Sequence, residues 1–304
     1  MNSKSLTILL FVSVCLIWGT TWFAMEVALH SIPPIFATGL RFLLAAPLLA
    51  VLAKVFKQPL LFPKGKRQWL LIVALMYFAI PFTLMIYGEQ YISSGLASII
   101  FANMPVAVML MSGLFLGLRL ARHQIFGLVT AVVSLCLILG NEMQMGGDNY
   151  FIGTVCLGLA VAIHAVMYVL VQKHCKGIEV LTYNAVPSFI AAIFLFAVSA
   201  AGENVNVESF TWDSISAVVY LGFVASVGGI VAYFKLGQVS TPFQASICFL
   251  IFPVVALLIS CYINGEVLSE QSLLMMLPLL CGILLTKAPK GIFKLRTGLK
   301  TVRS

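Results

Sequence analysis

Ten apolar runs, each closed by a short polar or basic stretch, nearly tile the chain: 6–25, 33–53, 69–88, 92–117, 124–141, 150–171, 180–200, 214–234, 240–263 and 271–287. A helix of ~20 residues crosses the ~30 Å hydrocarbon core of a bilayer with every backbone hydrogen bond made internally, so each run predicts a membrane-spanning helix. The loops between them are short, the longest being the basic one at 54–68 and the polar one at 201–213. No soluble domain, long linker or low-complexity tract interrupts the pattern. The predicted fold class is an all-α integral membrane protein with ten transmembrane helices.

The pattern also repeats. The stretch Tyr91 to Leu118, YISSGLASIIFANMPVAVMLMSGLFLGL, returns as Val239 to Glu266, VSTPFQASICFLIFPVVALLISCYINGE. At an offset of 148, the distance from Pro105 to Pro253, nine of 28 positions are identical. Apolar composition alone produces most such matches. A mid-segment proline and a closing glycine twelve residues later, Pro105 with Gly117 and Pro253 with Gly265, are not produced so easily. At the same offset Pro81 of the third run faces Gly229 of the eighth, two residues that weaken a helical ladder. The chain therefore divides into a first repeat at 1–145, a second at 146–290, and a basic tail at 291–304. Five spans is an odd number, so two copies insert with opposite orientation and form an inverted repeat. Inverted repeats suit alternating access, with broken helices supplying free backbone groups near the midplane. The candidate breaks are Pro81, Pro105, Gly228, Gly229 and Pro253. Membrane helices also tolerate Pro and Gly for packing alone, and the paired occurrence is what favours the break.

Composition sharpens this reading. Of 304 residues 61% are hydrophobic and 9% are charged, more apolar surface than a soluble core needs. The net charge of +8 would point to nucleic acid if it formed a patch on a soluble domain. Instead 17 of the 18 basic residues fall in alternate loops and the two ends, Arg41 being the exception. The positive-inside rule puts that side, with both termini, in the cytoplasm of a cell whose inner membrane holds the protein. The expected partners are the lipid bilayer and a small-molecule substrate, not nucleic acid, and a homodimer is an open alternative. Six of the seven cysteines lie inside the apolar runs, and none makes a CxxC or Cys/His ligand spacing, so they read as small hydrophobes with no metal or other cofactor. The start, MNSKSLTILLFVSVCLIWG, resembles a signal peptide but has no small-x-small cleavage site, and removing it would upset the charge parity. It is read as the first helix.

Chemistry has few places to sit. Arg41 lies inside the second run, where a charge must face a partner or a wet cavity. With Glu26 and Glu89 as the acids at matching depth, it is a structural ion pair, a bidentate clamp for a substrate carboxylate, or a snorkelling side chain. Trp18 and Trp22 are four apart on one helix face, as are His164 and Tyr168. Trp22 is an interfacial anchor or a cavity residue, and Trp18, deeper, is read as cavity wall. His164 is a packing histidine or a contact to substrate or proton. Asn103, two residues before Pro105, is helix–helix glue or a cavity amide, and Tyr233 is a further cavity candidate. No HExxH, GxSxG, P-loop or Gly-rich nucleotide fingerprint occurs, so neither catalysis nor ATP hydrolysis is expected. No carboxylate lies deeper in a span than Glu26, which weakens a proton relay.

These residues carry a resemblance. The first half reads IWGTTWFAMEV, PPIFATGLRFLLAA, the Ser-Ser-Gly-Leu-Ala-Ser stretch, Pro105 and FLGLRL; the second reads GGIVAYFKLGQ, TPFQAS, Pro253 and NGEVLSEQ. From about Cys15 to Lys287 this resembles the EamA type of the drug/metabolite transporter superfamily. Three positions depart from its pattern: Leu118 replaces a usual glutamate that the second repeat keeps as Glu266, Glu26 stands where lysine is common, and His164 where tryptophan is frequent. The resemblance implies ten helices in two inverted repeats, a cavity lined mainly by helices 1, 3, 4, 6, 8 and 9, and export of small metabolites, often amino acids. The expectation is a secondary transporter exporting such a metabolite, or an amphipathic compound, by alternating access. The alternatives are an importer of the same fold, a passive channel, which would need rings of charge, and an intramembrane enzyme, which would need a buried acid–base cluster.

Overall fold

The computed structural model describes residues 3–146, 148–240, 242–265 and 268–288. Ten helices in it are long and apolar enough to span a membrane: α1 (Lys4–Leu29), α2 (Pro34–Val55), α3 (Lys64–Gly88), α4 (Ser94–Leu116), α5 (Arg122–Met143), α6 (Tyr150–His174), α7 (Val180–Gly202), α8 (Trp212–Val239), α9 (Gln244–Asn264) and α10 (Glu270–Lys287). They coincide with the ten apolar runs, and no strand occurs among the described residues. Large apolar side chains such as Leu9, Val12, Leu258 and Leu277 face outward, while Thr38, Ser98, Thr182, Ser188 and Ser260 are buried. That distribution suits lipid outside and helix–helix hydrogen bonding inside.

The helix pairing is that of a duplicated chain. Helix α1 packs on α8 and α9, and α6, its counterpart five helices on, packs on α3 and α4. Likewise α2 meets α8 where α7 meets α3. The pairs α2–α7, α4–α9 and α5–α10 each join a helix to its own counterpart. The α5–α10 seam is closest at Gly127 and Gly282, where a Cβ on either would lie 2.7 Å from the carbonyl oxygen of the other.

The irregularities repeat as well. Helix α3 opens into a π-helical stretch at Ala74–Ala79 and α8 does so at Leu221–Gly228, equivalent positions at the offset of 148. Pro81 follows the first and Gly229 the second. Pro81 has no N–H for the Tyr77 carbonyl, and the wider π turn absorbs that loss. Gly117 and Gly265 close α4 and α9 in the left-handed region at φ 64° and 68°, a conformation glycine enters without steric cost.

One irregularity does not repeat. Helix α4 is interrupted at Asn103, just before Pro105, between Ser94–Ala102 and Met104–Leu116. In α9 the interruption is at Ile247, and Pro253, expected as a break, lies inside the continuous helix Cys248–Asn264. The missing N–H of Pro253 costs one ladder bond without stopping the helix, and the interruption moves about one turn toward the N-terminus.

Two acids secure helix ends. Glu203, after α7, accepts from the backbone N–H groups of Ile35 and Phe36 at 2.8 and 2.9 Å, capping α2. Glu142 of α5 accepts from the N–H and hydroxyl of Ser269 at 3.2 and 3.0 Å, and Ser269 caps α10. Glu266, Gly147 and the tail from residue 289 lie outside the described residues.

Candidate functional site

Arg41 is placed by the α2–α8 contact. At Gly222 a Cβ would meet Leu44 at 2.7 Å and the Arg41 carbonyl at 3.2 Å, so the two helices run close there. One turn on, Ser226 presents its hydroxyl, which accepts from Arg41 Nε at 2.8 Å. The guanidinium also points Nη1 at the Met25 sulfur, 3.5 Å away, and lies over the Phe82 ring at 4.8 Å. It is 6% exposed. No carboxylate among the described residues hydrogen-bonds to it, so the ion pair expected as one reading is not formed.

The acids are nevertheless close enough to be felt. Glu89, the residue after α3, is 6% exposed, and no described group hydrogen-bonds either of its carboxyl oxygens. Glu26 of α1 accepts from the Asn264 amide at the end of α9 through Oε1, and its buried Oε2 has no partner. Burial first, and the Glu26 carboxylate second, push the Glu89 carboxyl well above the usual carboxylate range, and Arg41 pulls it only partly back.

Below this cluster lies an aromatic cage. His164 of α6, 3% exposed, meets the rings of Tyr77, Phe82 and Phe101 edge-on at 5.2, 5.2 and 5.7 Å, and its buried Nδ1 has no partner. Phe82 thus carries His164 at its edge and Arg41 on its face. Trp22, 3% exposed, packs on Phe101 at 5.4 Å, so it belongs to the interior and not to an interfacial belt. Asn103, beside the α4 interruption, donates to the Ile99 carbonyl at 3.0 Å and keeps a buried Oδ1 without a partner.

The remaining candidates stand in two other places. Trp18 and Tyr233 form their own cluster, 4.8 Å apart, with Phe249 and Phe252 against the indole at 5.3 and 6.1 Å. Gly229 makes room for it, since a Cβ there would lie 3.0 Å from Trp18 Nε1. Tyr168, 48% exposed, lines a cleft of about 250 Å³ with Tyr77, Gln172, Lys176 and Tyr183 at the basic end of the bundle. Tyr77 connects that cleft to His164. Gly228 lies at the end of the α8 π stretch and contributes no side chain.

Sequence reasoning did not single out Tyr77, Phe82, Phe101, Met25 or Ser226. For Phe101 a signal existed, since Phe101 and Phe249 are one of the nine identities between the repeats. The others sit in apolar context that gives no local sign of a site.

The architecture and its buried polar cluster define a multi-pass membrane protein of the transporter kind. The EamA-like transporter family matches twice, over residues 5–140 and 151–287, and the chain belongs to that family. It is 45% identical over 292 residues to Protein PagO of Salmonella typhimurium, covering 96% of each chain. It is 43% identical over 291 residues to an uncharacterized transporter of Buchnera aphidicola, covering 96% of this chain and 97% of that one. The uncharacterized inner membrane transporter YedA of Escherichia coli is 25% identical over 289 residues, with 91% and 89% covered. A solved crystal structure at 16% identity matches 93% of this chain and 96% of its own with a TM-score of 0.66, which shows the fold alone. The chain is thus a transporter that works in a lipid bilayer on a small-molecule substrate.

Proposed function

We propose that the protein is a secondary transporter of the inner membrane that exports a small metabolite bearing a carboxylate, such as an amino acid, by alternating access. Its two five-helix halves, 1–145 and 146–290, are oppositely oriented, and the basic end with both termini faces the cytoplasm. The observation that carries the reading is Arg41: a buried guanidinium that gives one hydrogen bond to a hydroxyl and one contact to a sulfur, and keeps N–H groups for a further acceptor. A planar carboxylate fits that fork bidentately. Trp22, Phe82, Phe101 and His164 would wall the apolar part of the solute.

Export rests on the resemblance to exporters, and the two ends of the bundle supply the states of the cycle. The cleft at Tyr168 and Tyr183 lies at the basic end and leads through Tyr77 toward His164. At the opposite end Glu26 holds Asn264, joining α1 to α9. Exchanging the two repeats' packings would close the cleft and part that contact. The test is flux of a radiolabelled metabolite panel, led by amino acids, from proteoliposomes. Saturable, selective flux that Arg41→Gln abolishes supports the reading; flux untouched by Arg41→Gln and Arg41→Lys removes Arg41 from the site.

A further inference from the structure

Two negative groups and one positive group share the outer part of the bundle. Glu89 is buried with neither oxygen hydrogen-bonded by a described residue, and Glu26 Oε2 is also buried and unpartnered. Arg41, the positive group, feels Glu89 but is turned toward Ser226, Met25 and Phe82. An ionised carboxylate buried without donors costs several kcal/mol, and a protonated one avoids most of that. Glu26 is partly exposed and accepts from the Asn264 amide. One proton on Glu89 makes the group of three neutral.

We infer that Glu89 is a proton-binding site, and that the ammonium group of the substrate exchanges with this proton between Glu89 and Glu26. The inference rests on the reading of Arg41 as the carboxylate contact, and it narrows the substrate to a solute carrying both an amine and a carboxylate. In each cycle Glu89 loses its proton to water on the cytoplasmic side as the ammonium arrives, and takes one from the outer side as the ammonium leaves. No other bond changes. One proton enters for each zwitterion exported, so a net positive charge moves inward and both the pH gradient and the membrane potential drive export.

A metal cation is a poor occupant. Calcium takes about six to eight oxygen ligands, and Glu89 and Glu26 between them leave three buried carboxylate oxygens without a partner. No group of three or more His, Cys, Asp or Glu residues able to hold a metal ion occurs among the described residues. The titratable and charged groups that the structure sets near Glu89 are Glu26 from α1, Arg41 from α2, Cys156 of α6 beside Gly88, and the flanking Tyr87 and Tyr91. Helix α8 supplies Ser226, which carries no charge.

The test has a part that needs no substrate. Infrared difference spectra of the full-length protein in nanodiscs at neutral pH should contain a protonated-carboxyl band that Glu89→Gln removes and Glu26→Gln leaves, and that fades as the pH is raised. The second part uses radiolabelled amino acids in proteoliposomes, where each pH unit of gradient should concentrate the label by up to about tenfold. Glu89→Gln should abolish that accumulation. An absent band, or one that survives in Glu89→Gln, overturns the proton site, and gradient-driven accumulation in Glu89→Gln overturns the coupling. If the band behaves as expected and no amino acid moves in the wild type, the exchange with an ammonium falls together with the amino-acid reading, while the proton site stands.

Discussion

The two halves of the chain hold the same phenylalanine in the same register and surround it differently. Trp18 of α1 and His164 of α6 stand in matching places, each against that phenylalanine. Trp18 meets Phe249 at 5.3 Å, and His164 meets Phe101 at 5.7 Å. Around Phe249 no charged side chain among the described residues joins the rings; Phe252, Cys248 and Cys15 are buried nearby and Tyr233 supplies a phenol. Around Phe101 the environment turns polar within one ring, since Phe82 carries both His164 and Arg41. Duplication preserved the packing frame, and side chains of both copies gathered the polar chemistry around one of the two phenylalanines. The departures from the family pattern at Glu26 and His164 belong to that polar side.

Removing the charge should have the largest effect. Arg41→Gln is expected to lower flux by at least about 100-fold, because breaking a buried charged contact costs about 3 kcal/mol or more. Arg41→Lys should lose much of the same activity, since an ammonium cannot present the fork. Flux close to wild type in both would erase the distinction between the two regions.

The frame is tested next. Gly282→Leu should destabilise the α5–α10 seam by about 1–3 kcal/mol, because its Cβ alone would lie 2.7 Å from Ala131 N and from the Gly127 carbonyl. The readout is thermal unfolding in detergent, with substrate selectivity unchanged in whatever folds. Smaller again is the paired comparison of His164→Phe with Trp18→Phe. Losing one polar contact should cost about tenfold in flux at His164, and Trp18→Phe should cost less. Equal losses would make both regions plain cavity wall. The smallest effect is expected for Glu203→Gln, which weakens the cap on α2 by about 1 kcal/mol and leaves selectivity alone; melting temperature and the substrate profile read it.

Much of the frame was legible in the sequence because a bilayer leaves few choices. Runs of spanning length must be helices, and Pro81 with Gly229 marked the two stretches where the ladder widens. Gly117 and Gly265 marked two helix ends because a left-handed residue there favours glycine. Pro253 misled, since one missing N–H does not break a helix that its neighbours support. The site was less legible. Arg41 stood out as a charge in a span, but its contact, Ser226, lies 185 residues away and only the fold brings them together. Glu89 read as a residue just past a helix end, and the turn that exposes Gln90 leaves Glu89 buried.

Trans-stimulated exchange in proteoliposomes tests the central claim most directly. Entry of a radiolabelled amino acid should saturate, should speed up when unlabelled amino acid is placed inside, and should vanish in Arg41→Gln. Such acceleration requires a site that reorients with solute bound. Flux that rises linearly with concentration and ignores solute on the far side would mean an open pathway, and alternating access through Arg41 would be wrong.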